Sequence, residues 1–178
     1  MIRLFAAVAV PEDIAQGLAR RQKGLLGARW RPIESLHLTL RFFGEISENK
    51  ADDLDAELAS IAGEPFELTL GGVGVFEDGA APRAVWAGAE ASSALRALAK
   101  RCESAARRAG LAPEARAFRA HVTLAYLSGA EPAHVAAWIQ EHNLLKSPPF
   151  SVRAFGLYSS RRSAAGAAYQ LERRYPLG

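Results

Sequence analysis

The chain is poor in the side chains that usually carry reactive chemistry: one cysteine, one methionine, three threonines and four histidines in 178 residues. A single cysteine, Cys102, excludes an internal disulfide, and with it a small secreted fold held by bridges. No HExxH, CxxC or other His, Cys and carboxylate run at ligand spacing occurs, so no metal or other cofactor is expected. No serine stands in a GxSxG elbow. Gly71-Gly72-Val73-Gly74 lacks both the Lys-Ser/Thr of a phosphate loop and GxGxxG spacing, and reads as a bulged strand. The apolar start, Ile2 to Val10, has no extended basic leader and runs straight into a charged helix. It reads as a buried strand rather than a signal, and the protein is expected in the cytoplasm, away from membranes. An excess of one charge is missing too: 22 basic against 19 acidic residues leave +3, which tolerates a polyanionic partner without demanding one.

What is present is one tetrapeptide used twice, His37-Leu38-Thr39-Leu40 and His121-Val122-Thr123-Leu124. With so few His and Thr, two such coincidences arise by chance on the order of 1 time in 500. Each copy sits in an apolar run that reads as a strand, where a period of two puts His and Thr on one face and the Leu or Val residues on the other. Two strands each offering an imidazole and a hydroxyl to a shared cleft make a symmetric acid/base site.

The rest of the chain repeats around them. A strand over 2–10 leads to a helix from Pro11 to about Leu26, then the first His strand, roughly 35–43, closed by Gly44. Ser47 caps a helix that ends at Gly63, and a strand runs from Phe66 to Phe76 before a turn at Asp78-Gly79. The second half gives a strand over Arg83–Gly88, a helix capped by Ser92 or Ser93 and ended by Gly110, the second His strand at about 117–127, and a helix from Glu131 to Asn143. Strands over Phe150–Ser159 and Ala167–Tyr175 then flank a basic loop, Ser159-Ser160-Arg161-Arg162. The length suits one domain, 1–178, with half-repeats at about 1–77 and 82–178 and a period of 84, which is 121 minus 37.

Other polar residues read as structure. His142 shares an apolar helix face with Val135, Trp138 and Ile139, His134 lies near that helix's start, and Cys102 belongs to a helix core. Thr69, in Glu67-Leu68-Thr69-Leu70, shows that Leu-Thr-Leu occurs without a histidine, so threonine gains meaning only beside one. Trp30, Phe76 and Tyr126 are the aromatics that could stack a base.

Two HxTx motifs on strands in duplicated halves resemble the 2H phosphoesterase superfamily. Arg3-Leu4-Phe5-Ala6-Ala7, Trp30, Phe42-Phe43-Gly44-Glu45, Gly72-Val73-Gly74-Val75-Phe76, Val85-Trp86 and Leu157-Tyr158 resemble its bacterial RNA 2',3'-cyclic phosphodiesterase branch, also called 2'-5' RNA ligase. So do Ser160, Gly166, Tyr169 and Tyr175-Pro176-Leu177. The resemblance implies an α+β, bilobal, pseudo-twofold fold: two antiparallel sheets flank a central groove, with helices outside. It also implies metal-independent hydrolysis of RNA or nucleotide 2',3'-cyclic phosphates to 2'-phosphates by a monomer, with 2'-5' ligation as the reverse. The family's second motif commonly continues His-x-Thr-Leu-Ala-Arg, and that arginine helps to hold the phosphate; here the position is Tyr126, which is neutral. By strand alternation Arg119 and Arg41 share a face with their neighbouring histidines, and Arg119 is the first choice for the replacement cation.

The chemistry agrees with the motif. Opening a cyclic phosphodiester in line needs a base for water on one side of phosphorus and an acid for the leaving ribose oxygen on the other. By analogy with that family His37 is placed as acid and His121 as base, with Thr39 and Thr123 donating to the non-bridging oxygens. The rival readings are an RNA-end binding module with weak catalysis and a phosphodiesterase for a small nucleotide such as ADP-ribose 1'',2''-cyclic phosphate.

Overall fold

A computed structural model describes residues 1–164 and 166–178. The strand β1 (Ile2–Ala9) is buried on both faces from Leu4 to Val8 and forms the spine of one half of the molecule. Leu4, Ala6 and Val8 face the main core, while Phe5 and Ala7 face the opposite side. The helix α1 (Glu12–Ala19) follows, then the short β2 (Ala28–Trp30), a 3₁₀ turn at Ile33–Ser35, and the first His strand, β3 (His37–Ile46). Helix α2 (Glu48–Ala59) precedes β4 (Phe66–Leu68) and β5 (Leu70–Asp78). Then come β6 (Ala81–Ala89), α3 (Ser93–Arg108), the second His strand β7 (His121–Leu127), α4 (Pro132–His142), β8 (Phe150–Val152), β9 (Ala154–Ser163) and β10 (Gly166–Pro176).

The strands lie in the order β10-β9-β1-β3-β7-β6-β5, antiparallel throughout, with β2 pairing β7 off that path. Between β3 and β7 only Leu38↔Val122 are in register, so two antiparallel halves meet at a single seam. The inner six strands, β9-β1-β3-β7-β6-β5, read as a palindrome about it. Each half of the chain lends one strand to the other half's sheet: β5 pairs β6, and β9 pairs β1. A second exchange pairs β4 with β8 in a separate two-stranded sheet. Helices α2 and α3 pack together, with α3 against β3, while α4 covers β5 and β6. This is the expected α+β arrangement of two antiparallel halves with helices outside.

Local differences from the sequence reading have local causes. Helix α1 stops at Ala19 rather than Leu26, because the chain turns through Gly24 and Gly27 at φ 74° and 83°, outside the helical region. Gly44, at φ 79°, lets β3 continue to Ile46 instead of ending it. The strand expected from Phe66 to Phe76 breaks at Thr69 into members of two sheets, and the one from Phe150 to Ser159 breaks at Arg153. Arg161 and Arg162 lie in β9, paired with Ala168 and Ala167, not in a loop. Ser47 and Ser92 cap their helices as expected, their hydroxyls accepting from the Lys50 and Leu95 amides.

Candidate active site

Leu38 and Val122 are buried at the seam, so their neighbours His37, Thr39, His121 and Thr123 face the other way, into a groove. Continuing the antiparallel register one residue either side of Leu38↔Val122 sets His37 across from Thr123 and Thr39 across from His121. Each imidazole is therefore presented beside the hydroxyl of the opposite half. The two strands then bulge at equivalent places. Thr39 pairs Ala7 and Arg41 pairs Ala6, leaving Leu40 unmatched; Thr123 pairs Trp86 and Ala125 pairs Val85, leaving Leu124 unmatched.

Those bulges decide the fate of two expected binding residues. Beyond Leu40 the alternation flips, and Arg41 turns to the helix side, 9% exposed, with Nε donating to Glu103 at 2.5 Å and Nη2 to the Ala112 carbonyl at 2.8 Å. Its charge is neutralised by Glu103 and, at 3.8 Å, Glu114, so Arg41 reaches the groove only as an ion-paired residue turned away from the histidine face that strand alternation suggested. Beyond Leu124 the same flip sends Ala125 inward and leaves Tyr126 on the groove side, 43% exposed. Arg119 lies before β7, not within it, because the second His strand begins at His121 rather than 117. Its backbone carbonyl faces His121 Nδ1 at 2.7 Å, and its guanidinium carbon lies 5.8 Å from the Phe76 ring centre.

The surroundings of the two histidines are built in parallel. Tyr158 on β9 lies 4.6 Å from His37 between ring centres, and Phe76 on β5 stands edge-on to His121 at 4.8 Å. Phe5 and Tyr169 complete the wall beside His37, and Trp86 the wall beside His121. Burial among these rings lowers both imidazole pKa values below 6.5, with nearby arginine charge, Arg31 for His37 and Arg119 for His121, pushing the same way. Donation of Nδ1–H to the Arg119 carbonyl fixes the tautomer of neutral His121 and leaves the Nε2 lone pair free. The corresponding carbonyl for His37 is that of Ser35, but Nδ1 falls outside hydrogen-bond geometry and is buried without a partner among the described residues.

One residue that sequence reasoning passed over stands in the same wall. Arg31, just beyond β2, is 6% exposed. Its guanidinium carbon lies 5.6 Å from the Tyr126 ring centre and 5.3 Å from that of Tyr169. Its side chain donates to the Ala167 carbonyl at 3.4 Å, and among the described residues it has no carboxylate partner. The sequence carried a signal, Arg29-Trp30-Arg31, in which the central Trp turns into the core against Trp138 at 5.8 Å and both arginines take the other face. Trp30 is thus a core residue, as are Cys102, whose thiol burial pushes up to about 12, and His142, packed on Trp138 at 4.7 Å.

The chain matches the model of the 2'-5' RNA ligase superfamily over residues 10–164. It is 28% identical to an RNA 2',3'-cyclic phosphodiesterase of Archaeoglobus fulgidus over 95% of this chain and 97% of that protein. To the enzyme of that name from Bacillus subtilis it is 32% identical, over 74% of this chain and 76% of the other. The crystal structure of E. coli LigT complexed with 3'-AMP superposes with a TM-score of 0.82 at 29% identity, covering 99% of this chain and 98% of that one.

Proposed function

Because the chain belongs to the 2'-5' RNA ligase superfamily, we propose that it opens ribose 2',3'-cyclic phosphates at RNA ends to 2'-phosphates without a metal ion. The observation that carries this reading is the seam, where two imidazoles and two hydroxyls from two strands converge on one groove. Two relatives named RNA 2',3'-cyclic phosphodiesterase match over 97% and 98% of their own length, which favours a working enzyme over an RNA-end binding module.

In the proposed step, His121 Nε2 takes a proton from water as its oxygen bonds to phosphorus, while His37 Nε2 gives a proton to O3' as the P–O3' bond breaks. The products are a 2'-phosphate and a free 3'-hydroxyl, and the two histidines have exchanged protonation states. Thr39 and Thr123 donate to the non-bridging oxygens as charge builds on them. Arg119, exposed at the mouth beside Phe76, meets the incoming phosphates from the His121 side, and Tyr126 lines the opposite wall. Run in reverse, the same groups join a 2',3'-cyclic end to a 5'-hydroxyl through a 2'-5' bond. All four groups come from one chain, so residues 1–178 act as one unit and a monomer is sufficient. No helix among the described residues is long and apolar enough to cross a membrane, and we place the reaction in the cytoplasm.

The acid and base are separated by a cyclic substrate carrying sulfur in place of O3'. A thiolate leaves without a proton, so His37→Ala should recover most of its lost rate on this substrate and His121→Ala should not. Recovery by His121→Ala instead would reverse the assignment, and a 3'-phosphate product from the oxygen substrate would overturn the reading.

A further inference from the structure

A buried cation without a counter-ion is an unstable arrangement unless something negative completes it. Most arginines that line this groove are solvated or ion-paired: Arg83 and Arg116 pair with Asp78 and Glu114, and Arg41 with Glu103. Arg31 is neither, being nine-tenths buried with, among the described residues, one long side-chain hydrogen bond to a carbonyl. Two tyrosine rings contact its guanidinium, and cation–π contact offsets only part of the lost hydration. A Cβ at Gly166 would come within 4.0 Å of Nη1, so the β9–β10 hairpin closes over the guanidinium. The backbone fixes it as well, since the Arg31 amide donates to the Leu124 carbonyl at 2.8 Å and Gln22 donates to the Arg31 carbonyl at 2.8 Å. Arg31 lines the same groove as His37 and Thr123, so a charged partner bound there can reach it.

We propose that Arg31, delivered by β2 and held between Tyr126 and Tyr169, is the cation that grips the non-bridging phosphate oxygens of the substrate. The assignment rests on the phosphodiesterase reading above. A fork of N–H donors in a site from which water is largely excluded holds a phosphate more firmly than the exposed Arg119 does, because solvent screens the latter. It also explains why Tyr126 is tolerable. Position 126 lies across β2 from Arg29, and its ring lies against the guanidinium of Arg31, so it furnishes the wall of the cation site rather than the cation.

The test uses the full chain and two readouts: turnover of cytidine 2',3'-cyclic phosphate in EDTA, and calorimetric binding of cytidine 2'-monophosphate. Arg31→Met should weaken mononucleotide binding by about 10- to 100-fold and raise KM, with Arg31→Lys intermediate. Its Tm should hold or rise, since the substitution removes an unpaired buried charge, whereas a purely structural arginine would lower Tm. The double variant Arg31→Met with Tyr126→Arg returns a guanidinium to the same volume from β7 and should recover at least a third of the lost affinity. Affinity and KM within twofold of wild type in Arg31→Met would overturn the assignment, as would a lowered Tm without a selective loss of phosphate binding. Wild-type protein that binds the 2'-monophosphate through Arg31 yet turns over no cyclic phosphate would support the cation site and overturn the phosphodiesterase reading. Turnover that does not depend on Arg31 would do the reverse.

Discussion

In the proposed reaction two histidines carry the chemistry, and their protonation can be predicted. Both are neutral in the free protein at neutral pH, because burial and a neighbouring arginine lower each pKa from 6.5. The reaction needs one charged and one neutral imidazole, and kcat/KM reports the free enzyme. The correctly protonated fraction therefore peaks between the two lowered values, below pH 6.5. Above that peak log kcat/KM should fall with a slope of about −1 as pH rises through the higher pKa. Bound phosphate favours the imidazolium, so the alkaline limb of kcat should lie at higher pH than that of kcat/KM. Profiles measured from pH 4.5 to 9 check both statements, and a kcat/KM maximum above pH 7 would contradict them. The His-Thr pairs were legible in the sequence because their repetition is improbable and their two-residue spacing fixes a shared face. Arg31 was not, because it follows a three-residue strand whose pairing to β7 leaves no periodicity to read.

At the scale of elements, the bulges at Leu40 and Leu124 separate what alternation predicts from what the strands do. Thr39 and Thr123 precede them and obey the pattern; Arg41 follows one and is turned into the core side. A bulge has no fixed sequence mark, so the reading that kept Arg41 beside His37 followed the ideal pleat. The glycines behave similarly. Gly74 lies in β5 where a Cβ would meet the Trp86 indole at 2.3 Å, and its counterpart Gly156 lies under Tyr158, which a Cβ would meet at 2.8 Å. Each thus allows an aromatic wall of one histidine to close. Gly74→Ala should displace Trp86, cost about 1–3 kcal/mol of stability, and lower kcat through the rings around His121. Thermal unfolding with steady-state kinetics checks this, and a variant with unchanged Tm and kcat would refute the close fit. Ser92→Ala, by contrast, removes a helix cap that does not itself line the groove and should cost about 1 kcal/mol with little change in KM.

The whole molecule adds what no single strand shows: the halves exchange strands β5 and β9, so the seam is held from both sides and the groove runs between them. The internal repeat was visible as a period, yet the exchange was not, because pairing between β1 and β9 joins residues 149 to 155 apart. Along the groove Arg3, Arg29, Arg96, Lys100, Arg119 and Arg162 have no ion-pair partner among the described residues. With Arg31 they give the groove a row of unpaired cations that an RNA strand could engage, although the net charge of the chain is only +3. If about three or four phosphates are engaged, raising salt from about 50 to 200 mM should weaken oligonucleotide binding by about 20- to 50-fold. Binding of a mononucleotide should fall far less. Equal salt dependence for both would favour a small-nucleotide substrate. The central claim is the pair of histidines at the seam, and its most direct test is turnover of a nucleoside 2',3'-cyclic phosphate in EDTA by wild type, His37→Ala and His121→Ala. Conversion to the 2'-phosphate by wild type, reduced about 10²- to 10⁴-fold in each variant, is the predicted result. A wild-type rate abolished by EDTA, or one that survives either substitution, would contradict it.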